Sequence, residues 1–223
     1  MKVKVISHSQ APLNDSLHKA SALDLVAYCA RVSNPDNQNN TETSEKLVKY
    51  LMKHKHWSPL EMVSACLEIE TTRDIARQLL RHRSFSFQEF SQRYADPTKD
   101  LEFELREARL QDPKNRQNSI ITDDPELQAK WEDKQRDVIK ASLDAYNFAI
   151  SNGIAKEQAR AVLPEGNTLS RLYVNGTLRS WIHYIELRGA NGTQKEHMDI
   201  AHAVADVIAE IFPLAKEFKG KEI

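Results

Sequence analysis

Val63-Ser64-Ala65-Cys66-Leu67-Glu68-Ile69-Glu70, then Thr71-Thr72, then Arg73-Asp74-Ile75-Ala76-Arg77-Gln78-Leu79-Leu80-Arg81-His82-Arg83, is where two periodicities meet. Val63, Ala65, Leu67 and Ile69 alternate with Ser64, Cys66, Glu68 and Glu70, the clearest strand pattern in the chain. After Thr71-Thr72 the period changes. At about 100° per residue, Ile75, Ala76, Leu79 and Leu80 share one side of a helix, and Arg73, Arg77, Gln78 and Arg81 share the other. Arg83 breaks this order: continued as helix it would point with the apolar side, where an unpaired guanidinium is very costly. Either the helix has ended by then, or the interior at that point holds a polar group for it.

On the N-terminal side, Lys2 to Ile6 alternates valines with lysines, an edge-type strand. Ser21 with Asp24 forms a shortened capping box for a helix through Arg31, and Thr43 or Ser44 starts a second one through Lys53. On the C-terminal side, Leu101 to Leu105 is a possible strand and Gln111 to Asn118 a long surface loop. Asp124-Pro125 opens a helix with the apolar stripe Leu127, Trp131, Val138, Leu143, Tyr146 and Ile150, ending at Asn152-Gly153. A short helix runs from Lys156 to Leu163. Leu169 to Asn175 reads as a strand turned by Asn175-Gly176-Thr177 into a helix through Leu187, and a last helix spans Gln194 to Phe218 with a kink at Pro213. The result is an α+β chain, a mostly helical single domain over residues 1–223 with a small, mainly antiparallel sheet.

Composition narrows the function classes. Hydrophobic residues make up 40% and charged ones 28%, the balance of a globular protein, and a formal net charge of -1 argues against a protein that coats nucleic acid. Cys29 and Cys66 are the only cysteines, which fits two thiols in a reducing compartment. The N-terminus lacks the apolar core of a signal peptide, and no run approaches the roughly 20 apolar residues of a membrane span, so the chain reads as cytoplasmic. The 6 glycines form neither G-x-G-x-x-G nor G-x-x-x-x-G-K-[ST], so any nucleotide phosphate would have to be held by side chains, chiefly arginine.

Arg81-His82-Arg83-Ser84-Phe85-Ser86-Phe87-Gln88-Glu89-Phe90-Ser91-Gln92-Arg93-Tyr94 is poor core material and reads as a polar site on an apolar frame. A plain alternative is a helix C-terminus whose cations face the dipole. Against it, Glu89, Ser91 and Arg93 alternate, which would place them on one side of an extended segment with Phe85, Phe87 and Tyr94 packing around a pocket. Residue types alone support an anion or nucleotide site.

The order Arg-His-Arg, seven residues, Ser, then x-Arg resembles the signature of the flavin-dependent thymidylate synthases. Flanking blocks agree in that family's order: Ala30-Arg31-Val32-Ser33, Tyr50 to His54 with His56 and Ser58-Pro59-Leu60-Glu61, Ala76-Arg77-Gln78, Ala159-Arg160-x-Val162-Leu163-Pro164 and Leu187-Arg188. Gln88 stands where the family pattern has asparagine, and Gly189 to Thr193 lacks its acidic residue. The resemblance implies an enzyme making dTMP from dUMP, with methylenetetrahydrofolate as carbon donor, FAD as redox carrier and NADPH as reductant. It also implies a homotetramer with shared active sites, and neither a metal nor nucleic acid nor a membrane as partner. By position, Arg81, His82 and Arg83 would contact FAD, and His56, Ser58, Gln88, Glu89, Ser33 and His183 would line the flavin region. Gln78, Arg81, Glu89, Ser91, Gln92, Arg93, Arg160 and Arg188 would hold dUMP.

The residue types suit that chemistry. Arg93 and Arg160 offer guanidinium forks to a phosphate, and Arg188 would stabilise negative charge as the pyrimidine is activated, in the absence of an obvious activated cysteine. Ser91 has no evident His-Asp pair and is assigned to orienting and polarising dUMP. Taken singly, Arg160 and Gln78 read as surface residues, His183 as a core histidine, and His197 and His202 as structural. Two rival functions are a non-catalytic nucleotide or nucleic-acid binding module and a metal hydrolase built on His54, His56 and His82.

Overall fold

The computed structural model describes residues 1–12 and 17–220. In chain order its elements are β1 (Lys2–His8), α1 (Ala22–Ala30), α2 (Ser44–Lys53), β2 (Ser64–Thr72), α3 (Arg73–Leu79), β3 (Ser86–Glu89), α4 (Pro97–Asp100), β4 (Arg109–Gln111), β5 (Ser119–Ile121), α5 (Pro125–Ser151), α6 (Lys156–Ala159), β6 (Leu169–Thr177), α7 (Leu178–Arg188) and α8 (Lys195–Ile208), with short 3-10 turns between. The main sheet has the order β1-β2-β6-β3 with every neighbouring pair antiparallel, and β4 and β5 form a separate hairpin. This is the α+β class expected from the sequence.

Alternation in β2 does what its sequence requires. Ala65, Leu67 and Ile69 face a core completed by Leu172 and Val174 of β6, Trp181, Ile182 and Ile185 of α7, and Ile200, Val204 and Ile208 of α8. Each large apolar side chain buried there contributes about 1.5–3 kcal/mol. The indole of Trp181 keeps its N–H satisfied by donating to Ala65 O at 3.0 Å, which pins α7 to β2. Glu68 and Glu70 emerge on the opposite face and pair with Lys4 at 2.9 Å and Arg171 at 2.7 Å. An antiparallel sheet tolerates one covered face and one wet face.

Several local signals work as read. Ser21 Oγ accepts from Asp24 N while Asp24 Oδ2 accepts from Ser21 N, a reciprocal capping box on α1. Asp124 Oδ1 accepts from the backbone N–H groups of Glu126 and Leu127 at the start of α5. Thr72 sits at the N-cap of α3, but its hydroxyl donates to the Asp74 carboxylate at 2.6 Å and caps no backbone amide.

Other expectations are corrected. Leu101 to Leu105 is not a strand; it touches the sheet through a single bridge between Phe103 and Thr168. The 111–118 loop is the connection of the β4–β5 hairpin. Lys156 to Leu163 divides into α6 and a 3-10 turn at Arg160–Val162. Asn175-Gly176-Thr177 is strand rather than turn: Gly176 is needed because a Cβ there would lie 2.3 Å from the Phe85 ring, which packs against it. The last helix ends at Ile208, and Pro213 opens a separate 3-10 turn instead of kinking a continuous helix. On α5 only the C-terminal part of the stripe is buried, with Tyr146 and Ala149 in a small second core, whereas Leu127, Trp131 and Val138 are exposed. No helix among the described residues is long and apolar enough to cross a membrane.

Candidate active site

The helix carrying Gln78 stops before the Arg-His-Arg run. Backbone bonds from His82 N to Leu79 O at 3.0 Å and from Phe85 N to His82 O at 3.2 Å fold residues 80–85 into a tight turn. Phe85 supplies a reason: it leaves the helical path to bury its ring against Gly176 and Trp181. Of the alternatives for Arg83, the first holds. The helix has ended, and Arg83 and Arg81 both point to solvent without a hydrogen-bond or ion-pair partner among the described residues.

His82, between them, turns inward. Its ring meets Tyr184 edge-on at 5.1 Å, and its Nε2 accepts from Arg188 Nε at 2.9 Å. A guanidinium can only donate, so His82 Nε2 is an acceptor and the imidazole is neutral with its proton on Nδ1. Burial, and then the neighbouring Arg188 charge, push the His82 pKa down to about 4. Arg188 spends only its Nε on this contact; its four remaining N–H groups have no partner among the described residues.

A second group forms where β3 meets β6. Glu89 Oε1 accepts from Ser170 Oγ at 2.8 Å and lies 3.5 Å from Arg73 Nη1. Arg73 in turn holds Glu165 at 3.1 Å. Burial opposes the Glu165 charge, but Arg77 and Arg73 keep its pKa below the usual carboxylate range. Gln88 pairs with Tyr173 on the wet face of the sheet, whereas Glu89 pairs with Leu172 and turns to the covered face. Gln88 and Glu89 therefore point in opposite directions, and this chain does not bring them into one pocket.

Beyond Glu89 the extended backbone ends. Amide groups of Tyr94 and Ala95 both reach Ser91 O, so Ser91 opens a turn and Arg93 lies within it, not on the Glu89 side of a strand. Arg93 reaches Glu157 at 3.4 Å, and Lys156 Nζ donates to Tyr94 O at 2.9 Å. These contacts bring the Ser91 turn to the α6 segment that leads into Arg160. No His or Asp contacts Ser91 Oγ, whose one hydrogen bond among the described residues is a long one from Arg93 N at 3.4 Å. Gln92 is buried, its Nε2 without a partner among the described residues.

His56, Ser58 and Ser33 are exposed. The turn after α2 is joined to α7 by Trp57, whose ring meets His183 at 4.7 Å, so His183 does lie beside the His56–Ser58 segment. Burial, followed by the Arg179 charge, lowers the His183 pKa. His54 and His56 gather around Tyr50, while His82 packs with Tyr184, Phe85 and His197, so the three histidines of a hydrolase site are not assembled.

The residue that sequence reasoning set aside is His197. It is fully buried on α8, its ring 6.2 Å from His82 and 5.7 Å from Tyr184, with Nδ1 3.2 Å from Gln78 Oε1. A histidine in the apolar stripe of α8 gives no hint of which loop it will meet, so only the packing of α8 on α3 exposes the connection.

Set beside known proteins, the chain matches the family model described as thymidylate synthase complementing protein over residues 17–214. It is 47% identical over 213 residues to a probable flavin-dependent thymidylate synthase of Paramecium bursaria Chlorella virus 1, covering 96% of both chains. A flavin-dependent thymidylate synthase of Synechocystis sp. is 46% identical over 213 residues, again with 96% of each chain covered. Among solved structures, the UMP/dUMP methylase PolB from Streptomyces cacaoi bound with 5-Br dUMP superposes with a TM-score of 0.75 at 27% identity, covering 97% of this chain and 93% of that one.

Proposed function

This chain belongs to the flavin-dependent thymidylate synthase family, and from that premise we propose that it methylates dUMP reductively to dTMP through one site built around Arg188. Methylenetetrahydrofolate is the carbon donor, FAD the redox cofactor and NADPH the reductant. The observation that carries the reading is the guanidinium of Arg188, anchored through Nε on His82, with the rest of its fork unpartnered among the described residues.

The residues assigned to FAD fit such a group. Arg81 and Arg83 are exposed, permanently charged and without partners among the described residues, so their forks are open to phosphate oxygens, and no glycine loop is needed. When bound, FAD passes reducing equivalents from NADPH to the transferred one-carbon unit. Arg81, His82 and Arg83 would hold it, with His56, Ser58 and His183 on the side joined through Trp57 and Ser33 assigned there by the family pattern alone.

The other roles fall to the chain's own residues. Arg188 places positive charge beside the uracil ring, where it stabilises the negative charge that develops as C5 becomes nucleophilic. His82, neutral and fixed in one tautomer, keeps that guanidinium in register without competing for its remaining donors. Glu89 offers its second carboxylate oxygen as an acceptor, since Oε1 is engaged by Ser170 and Arg73. Arg93 and Arg160 supply phosphate contacts. Ser91, lacking a base, polarises and orients dUMP rather than attacking it.

A homotetramer with shared sites fits two features. Gln88 and Glu89 diverge to opposite faces of the sheet, and Leu127, Trp131 and Val138 form an exposed apolar row on α5. The free thiols of Cys29 and Cys66 fit a cytoplasmic setting. The deciding assay supplies dUMP, FAD, NADPH and methylenetetrahydrofolate and measures dTMP with tritium release from C5 of dUMP. Product is expected only with the full set; flavin-loaded protein that forms none overturns the assignment.

A further inference from the structure

We infer that His197 is a positioning residue: it fixes the orientation of the Gln78 amide, so that Gln78 keeps one amide N–H, in a set direction, to donate to dUMP. This rests on the reading that Gln78 contacts dUMP.

The inference follows from a chain of hydrogen bonds with one permitted direction. Glu196 is clamped by two arginines, Arg106 at 2.9 Å on Oε2 and Arg109 at 2.5 Å on Oε1. Ionised between them, it can only accept. Burial opposes the charge on Glu196, but Arg106 first, and Arg109 with it, lower its pKa. Gln194 lies 3.0 Å from Glu196 Oε2 and must present Nε2 to it, which leaves Oε1 for Gln78. Gln78 Nε2 donates to that oxygen at 2.8 Å, so Gln78 Oε1 faces His197 Nδ1 at 3.2 Å. An amide oxygen cannot donate, hence His197 carries its proton on Nδ1. Arg106 also grips Asp74 at 2.8 Å on the first turn of α3, so the relay begins and ends on the helix that bears Gln78.

This settles which way the Gln78 amide points, and with it the hydrogen-bonding capacity left for a ligand. Its oxygen is held from behind by a fully buried imidazole, and one amide hydrogen is used on Gln194. One N–H remains. A free glutamine can flip its amide to suit either a donor or an acceptor; this one is held in a single orientation, with one N–H and one lone pair of Oε1 left. His197 Nε2 and Tyr184 Oη are both buried without a partner among the described residues, and burial, then Arg188 and His82, push the His197 pKa down to about 3, so the ring stays neutral. A neutral ring in one tautomer is the state the relay requires.

Four variants test this: Gln78→Ala, His197→Leu, His197→Asn and the double variant His197→Leu/Gln78→Ala. Calorimetric dUMP affinity and the separate KM and kcat values are the readouts. Asparagine places its amide nitrogen near the position of imidazole Nδ1 and should keep the contact. Losing the hold should weaken dUMP about tenfold in His197→Leu with kcat much less affected, one lost polar interaction being worth roughly 1.4 kcal/mol. His197→Asn should stay within about threefold of the parent, and the double variant should be no worse than Gln78→Ala, because the two residues act as one unit. Folded His197→Leu with unchanged dUMP affinity, or effects that multiply in the double variant, overturns the inference. Gln78→Ala with unchanged affinity instead removes the reading of Gln78 as a substrate residue, and the inference falls with it. Should His197→Leu fail to fold, His197→Gln replaces it, since its nitrogen reaches the Nε2 position; equal losses in the Asn and Gln variants overturn the inference.

Discussion

Arg188 Nε donates to His82 Nε2 across 2.9 Å, joining the end of α7 to the turn between α3 and β3. One residue lies just past the strand–helix pair and the other about a hundred positions later, yet each fixes the other's state: the arginine holds the imidazole neutral, and the imidazole leaves the arginine's fork facing outward.

Replacing Arg188 with lysine keeps a positive charge but loses the planar fork and the Nε contact. Turnover should fall by about 10²–10³-fold, the usual cost of removing one preorganised charge stabiliser. Single-turnover dTMP formation with flavin-loaded protein measures it, and a loss under threefold would contradict the role given to Arg188.

Arg83 has no hydrogen-bond or ion-pair partner among the described residues to lose. Arg83→Ala should therefore leave the urea midpoint within experimental scatter and weaken FAD by roughly ten- to a hundredfold, the worth of a charge-assisted contact. Flavin absorbance after gel filtration reports the outcome, and a full complement of flavin would argue that Arg83 faces something else.

Ser91→Ala should reduce kcat by about tenfold without abolishing it, because Ser91 has no base to make it a nucleophile. A variant that folds and binds dUMP yet is wholly dead would point to covalent catalysis by Ser91 instead.

His82 and His197 make stability depend on acid. Their folded pKa values, about 4 and about 3, lie below the ordinary 6.5. Between those limits the unfolded chain binds more protons than the folded one, so stability is complete above pH 6.5 and declines as pH falls toward 4. One fully neutral buried histidine contributes a slope of roughly 1.4 kcal/mol per pH unit. Urea midpoints at pH 7.5, 6.5, 5.5 and 4.5 should show the decline, and His197→Asn should flatten it; equal slopes for parent and variant would count against burial of a neutral His197.

Gly176→Ala inserts a Cβ 2.3 Å from a ring atom of Phe85, so the ring must shift away from Trp181 and Tyr184. Overpacking of this kind costs about 1–3 kcal/mol. Denaturant titration should show that loss together with reduced dUMP turnover, because the displaced ring belongs to the turn that carries His82.

The sequence was most readable where one local rule dominates. Alternation in β2, the Ser21–Asp24 box and Asp124-Pro125 each state their structure within a few residues. Arg83, Gly176 and the β4–β5 hairpin were not readable, because each depends on a distant packing partner or on strands only three residues long. The site divides the same way. The family pattern assigns Arg81 to Arg93 and Arg188 to one site, but does not say that Gln88 faces away from Glu89, nor that Arg93 lies in a turn. His197 carried no signal at all, since its partner Gln78 lies more than a hundred residues earlier.

The antiparallel pairing of β2 with β6, Ser64 opposite Thr177 and Thr72 opposite Leu169, has a kinetic consequence. β3 pairs only with β6 among the described residues, so it cannot dock until a loop of about eighty residues has closed, and closure of so long a loop is slow. Glu89 meets Ser170, and His82 meets Arg188, only after that event. During refolding, burial of Trp181, whose partners Ala65 and Phe85 lie across the same closure, should therefore accompany recovery of dUMP binding instead of preceding it.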